Sequence, residues 1–253
     1  ADQLVGLYPQ VNEVADVISI RFKAVPSPAI SFPEWKALAI ATEKAVADHP
    51  DIAGIVILHG TATLEETAYA LSLTAKVNVP IVIVGAQRPS SALSSDAGLN
   101  LVNAIRTAAS AEARGLGVLV LLNDEIQAAR EVTKTSTGRL QTFRSPDFGA
   151  LGHADGDRLT FYRRPIRRAY PDTEFDIRTL DALPRVDIAY SYTGDDGTAT
   201  RAFMAAGAKG IIAAAFAPGM LTPAEMATFK EAIAAGVVVV LATRGGSGRA
   251  FLA

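Results

Sequence analysis

Ala53-Gly54-Ile55-Val56-Ile57-Leu58-His59-Gly60-Thr61-Ala62-Thr63-Leu64-Glu65-Glu66-Thr67-Ala68 is the stretch whose reading decides the fold. Its first six residues form a continuous apolar run, which fits a strand buried on both faces of a parallel sheet. A glycine turn follows, and the spacing Thr63-x-x-Glu66 predicts a helix opened by a capping box. Thr61 therefore falls where a parallel strand ends and a helix N-terminus begins. Open α/β sheets bind ligands in that crevice, and the helix end favours an anion such as a carboxylate. A hydroxyl there can attack an acyl group or hold a substrate. The plainer alternative is a threonine that satisfies backbone groups in a βα turn.

The same alternation continues on either side. Strands are expected at 17–22, 80–85 and 116–122, and helices at 33–47, 63–73 and 98–110. Ser31-Phe32-Pro33-Glu34 combines a capping box with a proline in the first turn. Short β-like pieces between 131 and 162 predict a hairpin excursion. The stretch 163–184, rich in Arg, Asp and Pro, lacks a long apolar period and reads as a linker. A second alternation follows: strand 186–192, helix 198–206, strand 210–215, a helix 223–235 announced by Thr222-Pro223-Ala224-Glu225, and strand 237–242. The expected fold class is α/β. A larger N-terminal domain (1–165) carries a doubly wound, mainly parallel sheet; a linker (166–184) and a smaller C-terminal α/β domain (185–253), expected to be incomplete, follow.

Composition sets outer limits. The 253 residues are 49% hydrophobic and 20% charged with a net charge of −2, as in an ordinary soluble protein. No basic block offers a footprint for nucleic acid or an acidic membrane, and no apolar run is long enough to span a bilayer. With no cysteine, thiolate catalysis and cysteine-based metal sites are excluded. His49, His59 and His153 are isolated, so no metal site is expected. Gly245-Gly246-Ser247-Gly248 lacks a P-loop ending and reads as a turn. Asp195-Asp196 reads as turn and helix-cap chemistry, and Arg163-Arg164 with Arg167-Arg168 as a solvated face.

A second candidate lies in Val132-Thr133-Lys134-Thr135. Lys134 reads either as a solvated edge lysine or as chemistry, because a lysine desolvated among neutral groups can take a proton from a threonine hydroxyl. Spacing alone does not say whether Lys134 and Thr61 meet.

His59-Gly60-Thr61-x-Thr63-Leu64-Glu65-Glu66-Thr67-Ala68 is followed by Val84-Gly85-Ala86-Gln87-Arg88-Pro89-Ser90, Asp96-Ala97-Gly98-Leu99-Asn100-Leu101, Leu122-Asn123-Asp124, Val132-Thr133-Lys134-Thr135, Phe148-Gly149 and Gly194-Asp195-Asp196-Gly197. In this order, over essentially the whole chain, these motifs resemble the bacterial-type L-asparaginase/glutaminase family. The resemblance implies an amidohydrolase acting by acyl transfer to a threonine and then to water, with no cofactor and no metal. It implies a homotetramer of intimate dimers whose active sites lie at the domain interface between two subunits. Carried over, Thr61 matches the family's second threonine, which contacts the attacking water or is itself a candidate nucleophile, and Lys134 matches its lysine partner. Ser27 matches a serine that binds the substrate α-carboxylate, Gly60 lies in the same turn, and Ala86 matches an alanine whose backbone lines the amide end.

Three departures qualify the substrate. The family pattern has Asp after the second threonine, where this chain has Ala62; that carboxylate orients the lysine and holds the substrate α-ammonium. Pro28 stands where Gln is frequent, and Ala217-Pro218-Gly219-Met220 where a Gly-Asn-Gly-Asn turn is usual. A buried ammonium without a carboxylate is unfavourable by several kcal/mol. The expected substrate is therefore a small linear or cyclic amide without a free α-ammonium. The alternatives are a conventional L-asparaginase that recruits Glu65 or Glu66, and a catalytically weak binder of a small metabolite. The resemblance also implies an earlier strand ending in a Thr-Gly-Gly-Thr-Ile-Ala-like motif with the primary nucleophile, and further C-terminal elements. The sequence is accordingly expected to record part of a longer chain, in the cytoplasm or the periplasm.

Overall fold

The computed structural model describes residues 2–251. The first of two compact units ends at Asp181. It contains α1 (Asp2–Leu7), α2 (Phe32–Asp48), β1 (Ile55–Leu58), α3 (Leu64–Thr74), β2 (Ile81–Val84), α4 (Ala97–Ala109) and β3 (Val118–Leu122). Five short strands follow: β4 (Glu125–Ala128), β5 (Thr133–Lys134), β6 (Phe143–Arg144), β7 (Gly152–Ala154) and β8 (Leu159–Phe161). The second unit holds β9 (Val186–Tyr190), α5 (Thr198–Ala205), β10 (Gly210–Ala215), α6 (Pro223–Ala234) and β11 (Val238–Thr243). The fold is α/β, with a larger N-terminal and a smaller C-terminal sheet.

Apolar runs form the centre of the first sheet, whose strand order is β1-β2-β3-β4-β7-β8. Every residue of β2 and β3 is buried. Ile81, Ile83, Val118 and Val120 face a cluster with Leu64, Ala68 and Leu71 of α3, while Val82, Val84, Leu119 and Leu121 share the other with Ala104 and Ala108 of α4. Helices on both faces explain why these strands read as unbroken apolar runs. The sheet is parallel from β1 to β3 and continues antiparallel.

Strand β4 had no sequence expectation. It returns through Asn123 and Asp124, whose φ angles of 52° and 63° make a two-residue turn with both central residues left-handed, the geometry that suits a tight hairpin. Conversely, the strand expected at 17–22 does not form: those residues lie outside any helix or strand and are exposed. Their alternating apolar pattern is strand-like, but they pair with no strand among the described residues. β1 correspondingly stands at the sheet edge. A cavity of about 690 Å³ is lined by Val17 and Ile20 together with Ile55, Val56 and Leu58.

The stretch read as a linker is anchored to the first unit at least as far as Leu180. The buried Tyr170 hydroxyl donates to the Val79 carbonyl and accepts from Ile81 N–H, both at 2.9 Å. Lys36 Nζ donates to the Leu180 carbonyl at 2.6 Å. Composition reported its polarity but not this single aromatic anchor.

In the second unit the parallel order is β11-β10-β9, and Ala189, Ile211 and Ala213 pack with Phe229 and Ala232 of α6. The capping box expected at Thr222 forms: Glu225 N–H donates to Thr222 Oγ1 at 3.1 Å, and Thr222 N–H to Glu225 Oε2 at 2.8 Å. Glu225 is buried, and its other oxygen accepts from Ser191 Oγ at 2.6 Å.

Candidate functional site

Two strand ends meet at the candidate site. His59 N–H, just past β1, donates to the Val84 carbonyl at 2.9 Å, carrying the β1–β2 pairing to its limit. Gly85 then passes so closely that a Cβ there would stand 2.7 Å from the His59 carbonyl oxygen and 3.1 Å from Thr61 Cγ2. Gly60 is constrained in the same way. A Cβ on it would lie 2.7 Å from Ser27 Oγ and 3.0 Å from Ser27 Cβ. Ser27 opens a short 3-10 turn (Ser27–Ala29) and is buried.

The capping box expected at Thr63-x-x-Glu66 does not form. Thr63 occupies the N-cap position of α3, but its side chain makes no cap bond. Its Oγ1 donates instead to the Ser27 carbonyl at 2.8 Å, tying the Ser27 turn to the helix start.

Lys134 Nζ donates to Thr61 Oγ1 at 2.8 Å across 73 positions of sequence. The lysine lies on β5, which pairs only with β6 in a separate two-stranded sheet. Glu65, in the first turn of α3, turns towards this strand. Thr133 Oγ1 donates to Glu65 Oε1 at 3.0 Å, and Lys134 N–H donates to Glu65 Oε2. Ala62 is exposed and adds only a methyl group to the turn.

Ala86, half-buried, follows Gly85 in a loop held in place by the half-buried Asp96 and the buried Asn100. Asp96 accepts from Gln87 N–H and Arg88 N–H, each at 2.9 Å. Asn100 Nδ2 donates to the Gly85 carbonyl at 3.0 Å, and its Oδ1 accepts from Asn123 N–H at 2.9 Å. The β2 end, the β3–β4 turn and α4 are thereby locked together. Thr61, Lys134, Ser27, Gly60 and Ala62 thus share one neighbourhood, with Ala86 one residue beyond the glycine that touches Thr61.

Sequence reasoning gave no positioning role to Glu65, Asp96 or Asn100. A helix-start carboxylate and an asparagine inside a helical motif carry no local mark of direction. The Asn123-Asp124 pair was the one signal, a turn dipeptide at a strand end.

Electrostatics divide the nearby groups. Burial pushes the His59 imidazole below its usual range, against a smaller opposing pull from the Gly60 carbonyl. That carbonyl lies 2.7 Å from Nδ1, and since it can only accept, the proton sits on Nδ1. The buried Nε2 is then an acceptor with no partner among the described residues. Glu66, more exposed than Glu65, is shifted upward by partial burial and by the neighbouring Glu65 charge. Among the described residues no group of three His, Asp or Glu is gathered to hold a metal ion, and no helix is long and apolar enough to cross a membrane. The arrangement brings a hydroxyl and an amine together at a parallel strand end beside a helix N-terminus. Such a pair can pass a proton while an acyl carbon is attacked.

The family model for the asparaginase N-terminal domain matches residues 1–167, and that for the glutaminase/asparaginase C-terminal domain matches residues 185–253. L-asparaginase 2 of Bacillus subtilis (strain 168) is 41% identical over 247 residues, covering 98% of this chain and 65% of its own length. Glutaminase-asparaginase of Pseudomonas fluorescens biotype A is 40% identical over 239 residues, covering 94% and 66%. The chain thus spans about two thirds of the length of these curated relatives. The crystal structure of a probable cytoplasmic L-asparaginase from Campylobacter jejuni superposes with a TM-score of 0.95 at 38% identity, covering 100% of this chain and 80% of that one.

Proposed function

The chain belongs to the asparaginase family, and from that premise we propose that it is a threonine-dependent amidohydrolase cleaving the C–N bond of a small carboxamide without requiring a free α-ammonium group. The observation that carries this reading is the 2.8 Å hydrogen bond between Lys134 Nζ and Thr61 Oγ1. The Lys134 amine, in its unprotonated form, takes the proton of the attacking oxygen, either that of Thr61 itself or that of a water held by Thr61. The proton then passes to the departing nitrogen, which leaves as ammonia or an amine. A general base so placed contributes about 10²- to 10⁴-fold. Ser27, packed on Gly60, is assigned to the substrate carboxylate, and the backbone at Ala86 to the amide end. Assembly as a homotetramer of intimate dimers belongs to the same reading and is checked by light scattering.

The specificity reading rests on Ala62 and Glu65. Ala62 offers a methyl group where an ammonium needs an anion, and both oxygens of Glu65 already accept hydrogen bonds. One observation favours the second reading, a genuine L-asparaginase: the exposed Glu66 leaves a carboxylate in the same helix turn. Ammonia release from L-asparagine and from succinamate, which differ by the α-amino group, separates the two. Turnover of succinamate but not asparagine, lost in Thr61→Ala and Lys134→Ala, is the expected result. Preference for asparagine supports the second reading, and silence on both points to a bulkier amide or a binding role.

A further inference from the structure

Resting on the reading of Thr61 and Lys134 above, we propose that Glu65 is a positioning residue that fixes the Lys134 amine against Thr61 by clamping the lysine's own strand to the start of α3. Lys134 sits on a strand of two residues whose ladder partner is another two-residue strand, outside the six-stranded sheet. So short a pairing is weak by itself. A lysine side chain adds four flexible bonds between that backbone and its amine. Holding the amine at hydrogen-bond distance from Thr61 therefore needs a further anchor near the lysine Cα.

Glu65 supplies that anchor with both of its oxygens. Oε1 accepts from the Thr133 hydroxyl and Oε2 from the Lys134 N–H. Its own backbone lies in the first turn of α3, where the helix favours negative charge. The same helix start is pinned through Thr63 to Ser27. One carboxylate thus joins the element that follows Thr61 to the element that bears Lys134, and the 2.8 Å contact closes the ring. Glutamine is nearly the same shape but has a single acceptor oxygen. Its oxygen can accept from the Lys134 N–H while its N–H₂ donates to the Thr133 hydroxyl, so two charge-assisted bonds become two neutral ones; leucine, of similar volume, makes neither. This commitment also sharpens the specificity reading, because Glu65 cannot turn to a substrate ammonium without releasing the lysine strand.

The test compares the parent protein with Glu65→Leu, Glu65→Asp and Lys134→Ala, measuring ammonia release from succinamate and asparagine alongside amide hydrogen exchange. In Glu65→Leu, kcat is expected to fall about 10- to 100-fold with KM within about twofold, the scale of a misplaced catalytic group. Exchange in the segment containing Lys134 should accelerate about tenfold or more while β2 and β3 keep their protection. Glu65→Asp, which keeps the charge and both acceptors on a shorter stem, should recover part of kcat. The proposal is overturned if Glu65→Leu leaves kcat and Lys134 exchange at parent values. It is equally overturned if β2 and β3 lose protection in step with activity, since the role is then merely structural. Full turnover in Lys134→Ala, or no turnover of any amide by the parent, sinks the reading of the Thr61–Lys134 pair instead. In either case the exchange measurement still decides whether Glu65 holds the strand.

Discussion

Two helices in this molecule begin with the same local signal and use it differently. Thr222-Pro223-Ala224-Glu225 opens α6 with a reciprocal capping box, and its buried glutamate also receives the Ser191 hydroxyl. Thr63-Leu64-Glu65-Glu66 opens α3, yet Thr63 donates to the Ser27 carbonyl and Glu65 reaches across to Thr133 and Lys134. In the smaller unit the polar side chains stabilise the helix they belong to. In the larger unit they are turned outward, holding a loop and a strand around Thr61. The difference teaches that a helix start can give up its own cap to organise its surroundings, and local rules fail first at such places.

Substitutions at the two starts should separate along this line. Lys134→Ala is expected to have the largest effect, a loss of about 10²- to 10⁴-fold in ammonia release with an almost unchanged melting temperature; retained turnover would break the contrast outright. Glu225→Ala should act in reverse. It leaves the buried Ser191 hydroxyl and the Thr222 N–H without their acceptor, so stability should drop by about 2–3 kcal/mol in urea titration while KM stays at the parent value.

The threonines give a finer comparison. Thr222→Ala removes a true cap and should cost about 1–2 kcal/mol. Thr63→Ala removes one hydrogen bond to a carbonyl and should cost about 1 kcal/mol or less, with its larger consequence in KM through the Ser27 turn. Equal stability losses and equal kinetics would erase the distinction.

The smallest expected effect is a pH dependence from His59. Burial lowers its folded-state pKa below the ordinary imidazole value. Above the unfolded value of about 6.5 both states are neutral and the fold keeps this contribution in full. As pH falls through that value the unfolded chain binds the proton first, so stability declines until the folded pKa has also been passed. Urea midpoints from pH 8 to 5 should show a decline that a His59→Asn variant lacks.

Much of the frame was legible because it depends on near neighbours in sequence. Ile81–Val84 and Val118–Leu122 could be read as buried strands because every residue is apolar, and Thr222 with Glu225 as a helix start because the partners are three apart. What was not legible depends on distant partners. Val17–Phe22 has the pattern of a strand, but pattern cannot provide a neighbour. The direction of Glu65 is set by a strand 69 positions later, and the Asn100 bridge by a carbonyl and an amide on two different strand ends. Thr61 and Lys134 stood out by residue type and by resemblance; their meeting is a property of the folded chain alone.

Gly60 and Ser27 carry a practical corollary for anyone diversifying this pocket. The Gly60 position has room for hydrogen only because Ser27 presses against it, so residues 33 places apart behave as one design variable. A combinatorial library that randomises position 27 in search of new substrates is filtered first by volume, before any substrate is offered. Side chains that outgrow serine will be recovered mainly when the 3-10 turn itself has shifted.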